Sequence, residues 1–232
     1  APNGDDHAGG GIYISKDDWN DQPSSVRLQN LVIENNNAKY GGGVFIRKVN
    51  LQMDNCILRN NWAYSPEYNG QYGMGGAIFM MHPSSNIPSK ITNTRIESNH
   101  AHEGGAVVLW QNSWGGHKIE FENVLINGNT AAHYAGVRAM DAKFSLLNST
   151  IVDNHSTEGF NNGSGVHASN WGTARIVNSI IHNNHPYNLS VGGVNDNYDS
   201  LLVSNSIIEY GADSIQVFDY GFLDWENTNL NV

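Results

Sequence analysis

One cysteine, Cys56, stands in 232 residues, so no disulfide closes within the chain. Small secreted domains that depend on paired cysteines are thereby excluded, whereas a large repetitive bacterial exoprotein needs none. Basic residues are scarce: 12 Lys and Arg face 22 Asp and Glu, a net charge of −10 with His neutral. That balance excludes nucleic acid and anionic membranes as partners, since both need a basic surface to neutralise phosphates. No apolar run approaches the ~20 residues of a membrane-spanning helix, so no membrane insertion is expected. Charged residues make up only 15% of the chain, while glycine (25 residues) and asparagine abound. These are residues of turns and corners, and they argue against helix. The opening, APNGDDHAGGG, has neither the basic nor the apolar stretch of an export signal, and the end, ENTNLNV, carries no charged tail. Residues 1–232 are expected to form a single domain and to be a piece of a longer chain.

What the chain has in plenty is repetition. The pattern Asn-x-x-[Ile/Leu]-x-x-[Asn/Gly] recurs as Asn30–Ile33–Asn36, Asn55–Leu58–Asn61, Asn93–Ile96–Asn99, Asn123–Ile126–Asn129, Asn148–Ile151–Asn154, Asn178–Ile181–Asn184 and Asn205–Ile208–Gly211. Its spacing runs from 25 residues (Asn30 to Asn55) to 38 (Asn55 to Asn93), the range of a solenoid. Between copies lies a second element, GGGIYI at 9–14, GGGVFI at 41–46, GGAIFM at 75–80 and GGAVVL at 104–109. It decays to AGVRAM at 135–140 and SGVHAS at 164–169. Each unit predicts two or three short strands with Gly and Asn at the corners. One unit cannot bury its apolar side alone, but units stacked about 4.8 Å apart bury a continuous aliphatic column. Asparagine tolerates left-handed backbone and can ladder through its amide, and glycine supplies positive φ. The fold class predicted is all-β, a right-handed parallel β-helix of about six to seven coils, a rod roughly 30 Å long.

The glycine-led strand followed by N-x-x-I-x-x-N resembles the bacterial right-handed parallel β-helix repeat proteins. The tail NSIIHNNHPYNLS…NSIIEYGADSIQV resembles the β-helix region of large exported "choice-of-anchor" surface proteins. The resemblance runs from Gly9 to about Trp225. It implies an extracellular or cell-surface location, and it names no activity, because this fold carries lyases, hydrolases, epimerases, adhesins and tailspikes alike.

Aligning the glycine-led strands puts their outward side chains in columns. The first is Tyr13, Phe45, Phe79, Val108, Arg138 and His167; the second is Ser15, Arg47, Met81, Trp110, Met140 and Ser169. The third, at the strand ends, is Lys16, Lys48, His82, Gln111, Asp141 and Asn170. Such a face is either a groove where sugar rings stack on aromatics while Arg47 and Lys48 hold carboxylates or sulfates, or a surface covered by long loops. The insertion WAYSPEYNGQYGM (62–74), with Trp62, Tyr64, Tyr68 and Tyr72, suits sugar or protein recognition, or else a lid. Trp114 belongs with it.

Arg138, Asp141 and His167 fall on neighbouring coils, the catalytic trio of choice: His167 as base and Arg138 as charge neutraliser would serve a uronate lyase. A glycoside hydrolase would need two carboxylates, and Asp141 is the only one on these columns. Asn195, Asn197 and Asp199 are the best Ca²⁺ ligands, although the sequence departs from the EF-hand loop at Ser200 and Ser206. The histidines show no zinc spacing. The leading function is an extracellular module binding glycan or partner protein. The alternatives are a polysaccharide lyase acting on acidic polysaccharide, and a purely architectural rod within a larger assembly.

Overall fold

A computed structural model of the chain describes residues 8–16, 24–65, 72–82, 88–110, 118–158, 163–192 and 198–231. Strand follows strand through this length, and every pairing is parallel, forming a β-helix of about six turns. Three sheets hold eight strands each and a fourth holds five. The first sheet is the glycine-led one, running from Ile12–Ser15 through Val44–Arg47, Ile78–Met81, Val107–Trp110, Val137–Met140, Gly163–Ser169 and Tyr187–Val191 to Ile215–Val217. The second begins at Ser25–Gln29 and ends at Gly221–Trp225; the third begins at Val32–Glu34 and ends at Leu230–Asn231. The fourth consists of Asn37–Ala38, Trp62–Ala63, His100–Glu103, Thr130–His133 and His155–Ser156. The sequence predicts two or three strands per coil; this fourth sheet, two to four residues wide, is the difference. No described helix is long and apolar enough to cross a membrane.

The two asparagines of the repeat do different work. Asn30, Asn55, Asn93, Asn123, Asn148, Asn178 and Asn205 all sit at an outer corner with φ between 49° and 58°. Asparagine pays less than other residues for that left-handed backbone. The second set, Asn36, Asn61, Asn99, Asn129, Asn154 and Asn184, forms a ladder that is buried from Asn61 onward. Each Nδ2 donates to the Oδ1 of the next lap at 2.8–3.0 Å, and Asn188 takes the final place. Each of the same Oδ1 atoms also accepts the backbone N–H of the preceding lap. Between the two sets Ile33, Leu58, Ile96, Ile126, Ile151, Ile181 and Ile208 point inward, none more than 6% exposed.

Glycine is required at the corner before the first sheet. A Cβ on Gly42 would lie 2.5 Å from the Gly76 carbonyl oxygen, and one on Gly76 would lie 2.2 Å from that of Gly105. Laps approach too closely there for any side chain.

Register within the first sheet follows the sequence columns. Tyr13, Phe45, Phe79, Val108, Arg138 and His167 are successive partners, and so are Ser15, Arg47, Met81, Trp110, Met140 and Ser169. Of the two readings of this face, groove or covered surface, the covered one describes Phe45 and Phe79, each 1% exposed. These two, with Val108 and Met140, make a second apolar core outside the first sheet, against which Ala8, Tyr40, Met74, Met81 and Trp110 pack. An outer face this apolar is costly to leave in water, so it is covered.

Candidate functional site

The densest group of charged and ring contacts lies where the fourth sheet turns into the first. Gly9, Gly41, Gly75 and Gly104 make that turn in four laps, with φ between 61° and 68°. In the next lap Tyr134 makes it instead, with φ 58°. A bulky residue in this conformation carries steric strain that glycine avoids. The Tyr134 ring has two close partners. It stacks on His167 with centroids 4.3 Å apart and planes 26° from parallel, and the Arg138 guanidinium carbon lies 4.4 Å from its centroid.

Arg138 and His167 are direct register partners, as the sequence columns require. Arg138 forms an ion pair with Glu103, which ends the strand His100–Glu103 of the fourth sheet. His167 Nδ1 lies 2.7 Å from Ser190 Oγ, the next residue in the same column. That hydroxyl oxygen also accepts the Gly163 N–H at 2.9 Å. Beside this group the rings of His102 and His133 meet edge to face at 5.3 Å. Asp141 stands apart, at the far end of the Arg138 strand on a left-handed corner with φ 51°. Thus Arg138 and His167 come together and Asp141 does not join them in the same column.

Burial sets the electrostatics. It draws the Arg138 guanidinium down to about 10 even though Glu103 is beside it. Burial first, and then the Arg138 charge, hold His167 down at about 3, so its imidazole is neutral throughout ordinary conditions. A base that weak takes protons poorly, and His167 is only 3% exposed. Both facts count against the base role expected of it. His102 is lowered too, by burial and then by His133. Among the described residues, no three His, Cys, Asp or Glu side chains are arranged to hold a metal ion.

Asp199 lies at the head of the strand Asp199–Ser204 and is 1% exposed. Its Oδ1 accepts the Gly172 N–H at 2.9 Å, so this carboxylate faces backbone inside the rod. Burial raises it to about 6, against the opposing pull of the Gly172, Trp171 and Asn170 N–H groups. Asn195 and Asn197, the other expected Ca²⁺ ligands, lie outside the described residues, as do Tyr68 and Trp114.

His167 and Asp199 oppose each other in acid. An unfolded chain protonates His167 as pH falls through its ordinary 6.5, whereas the folded chain resists until about 3. The stability this group contributes is therefore full above 6.5 and is lost on acidification. Asp199 is raised, so its contribution is full below its ordinary 3.8 and is lost as pH rises through about 6. Between pH 6 and 4 the two contributions offset one another. Asp199→Asn should steepen the acid loss of stability across that window by about 1.4 kcal/mol per pH unit, and His167→Gln should reverse its sign. Urea unfolding at half-unit pH steps measures both slopes. Identical slopes in wild type and both variants would show that neither group titrates differently on folding.

The remaining expected ligand residues divide by exposure. Tyr13 is 40% exposed and stacks on Phe45 with centroids 5.3 Å apart and planes 4° from parallel. Arg47, His82 and Trp110 are half-buried, and Lys48 is 8% exposed on a left-handed corner. Trp62 is open at 43%, on the outer face of the fourth sheet. Tyr64 lies 4.8 Å from it, and His100, its register partner in the next lap, lies 5.6 Å away. Farther along the same column, His155 and His185 stack at 5.2 Å. Sequence reasoning missed this imidazole column because it overlooked the fourth sheet itself. It also missed Tyr134, Glu103 and Ser190, although Tyr134 breaks the run of corner glycines in plain view. The chain matches no protein-family model, no curated protein and no solved structure.

Proposed function

We propose that the chain is a ligand-binding segment of an exported bacterial surface protein, of the choice-of-anchor kind its C-terminal coils resemble. It takes glycan or a partner protein on the face around Trp62. The observation that carries this reading is the open Trp62 indole on a flat parallel sheet, with the Tyr64 and His100 rings beside it. Aromatic faces exposed in a row bind sugar rings and peptide side chains at little entropic cost. The groove reading of the face along Phe45 and Phe79 is not part of the proposal, because both are buried.

Trp62→Ala is expected to weaken binding to immobilised polysaccharide about tenfold, measured by surface plasmon resonance with wild type on a parallel channel. Equal responses for the two proteins would remove Trp62 from the site. A wild type that binds none of a panel of neutral and acidic polysaccharides would favour the architectural rod, which the unbroken asparagine ladder also supports. A lyase would show itself as rising ultraviolet absorbance from unsaturated product on acidic polysaccharide. The weak basicity of His167 speaks against that reading.

A further inference from the structure

Open aromatic side chains are thinly spread over most of the rod, but four gather at one corner near its C-terminal end. Asn170, Trp171 and Gly172 turn the chain from the first sheet to the second in their lap, with Trp171 in left-handed backbone at φ 69°. Thr173 pairs with Ser200, and Ser200 with Phe222; Asp199 pairs with Gly221. Counting back two residues from Thr173, Ser200 and Phe222 places Trp171, Tyr198 and Tyr220 at one corner on three successive laps. They are 54%, 75% and 46% exposed, and Phe222 beside them is 60% exposed.

Two further observations make this more than stray apolar surface. Tyr220, like Trp171, has left-handed backbone, φ 63°, which bulky side chains disfavour. The same corner is left-handed at Lys48 and Asp141 in earlier laps, so the geometry belongs to the turn, and what these later laps add is a large ring left in water there. The corner is also tied from behind. The Asp199 carboxylate accepts the Gly172 N–H, and the Trp171 and Asn170 N–H groups also draw on it. The Trp171 turn is therefore fixed while its ring stays in water.

The spacing and the charges identify the occupant. Successive laps lie about 4.8 Å apart, close to the advance of one sugar residue along an extended chain. Thr173 and Ser200 add two hydroxyls side by side, 3.1 Å apart, next to the rings. Around the patch Lys143, one lap before Thr173, and Arg175, two residues beyond it, stand against Asp141, which by the same count precedes Trp171 in the corner, Asp219, next to Tyr220, and Asp224. Neither sign dominates, so nothing there selects a polyanion. We infer that this corner is a second binding platform, which takes an extended uncharged polysaccharide along the rod axis with one sugar ring per lap, on Trp171, on Tyr198 and on the Tyr220–Phe222 pair. It shares no residue with the Trp62 face and does not depend on it.

Affinity electrophoresis through gels containing hydroxyethylcellulose or polygalacturonate tests the assignment. The wild type should be retarded by hydroxyethylcellulose. Tyr198→Ala combined with Phe222→Ala should weaken that interaction about tenfold, with the same loss in a Trp62→Ala background. Trp171→Gly relieves the backbone while deleting the ring, so it should melt near wild type and still bind more weakly. The inference is overturned if hydroxyethylcellulose does not retard the wild type, if the double variant migrates like it, or if polygalacturonate alone retards it in a salt-sensitive manner. A Trp171→Gly protein that melts lower but binds normally would give Trp171 a purely structural role and overturn it too. Loss of binding in Trp62→Ala with none in the double variant would leave the Trp62 reading standing and remove this one.

Discussion

Ile126→Asp yields no folded rod at room temperature. Ile126 is fully buried, in register between Ile96 and Ile151, each also fully buried. An aspartate there faces a column of aliphatic side chains on the laps above and below. Burying an unpaired carboxylate costs several kcal/mol even after relaxation, on top of the lost isoleucine packing of about 3 kcal/mol. The sum rivals the whole stability of an ordinary domain, about 5–15 kcal/mol. Ile96→Asp should behave in the same way. Ile180→Asp provides the contrast: its side chain is 43% exposed on the outer side of the same sheet, and a change of less than about 1 kcal/mol is expected. Circular dichroism melts of the three proteins measure the difference. An Ile126→Asp protein that melts near wild type would mean that this residue does not face the interior.

The second large effect lies in the buried asparagine ladder. Asn129 Nδ2 donates to the Ile96 carbonyl at 3.0 Å, to the Asn127 carbonyl at 3.2 Å and to Asn154 Oδ1 at 2.9 Å. Its Oδ1 accepts both the backbone N–H and the Nδ2 of Asn99, each at 2.9 Å. Leucine has nearly the same volume and can make none of these bonds. Asn129→Leu therefore leaves the backbone N–H and an Nδ2 hydrogen of Asn99 unpaired away from water, at about 1–3 kcal/mol each, for a loss of about 4 kcal/mol in all. Asn123→Ala at the exposed corner removes a single 2.6 Å bond to Asn93 and the asparagine preference for left-handed backbone. About 1 kcal/mol should be lost there. Urea unfolding compares the two, and equal losses would mean that the inner column is no more than a second corner.

Much of this architecture can be read from the residues before any coordinate is consulted. Corner glycines and repeat asparagines mark the phase of each lap, so the partners of Tyr13, Phe45, Phe79, Val108, Arg138 and His167 follow from counting. Three features stay hidden for physical reasons. The fourth sheet is too short for alternation to declare it: Trp62–Ala63 and His155–Ser156 are two residues each. Period-two alternation says that Phe45 points away from Ile46, but it is silent on what lies over Phe45, and that face proved to be a second core. The two asparagine columns share one spacing, and only the shape of the lap decides that Asn123 meets water while Asn129 does not. Arg138 beside His167 was legible as a register pair. Their burial, and with it the weak basicity of His167, was not.

The lap length itself varies, from 25 residues between Asn30 and Asn55 to 38 between Asn55 and Asn93, yet the Nδ2-to-Oδ1 step across the longer lap is 3.0 Å, the same as across the shorter one. The added length falls between strands, and the ladder step from lap to lap is untouched. Whatever ruler the outer walls offer thus keeps its graduations while the loops around it grow, shrink or are exchanged. New specificities can be tried by insertion at the corners with no correction to the columns, because length and pitch are written in separate parts of each turn.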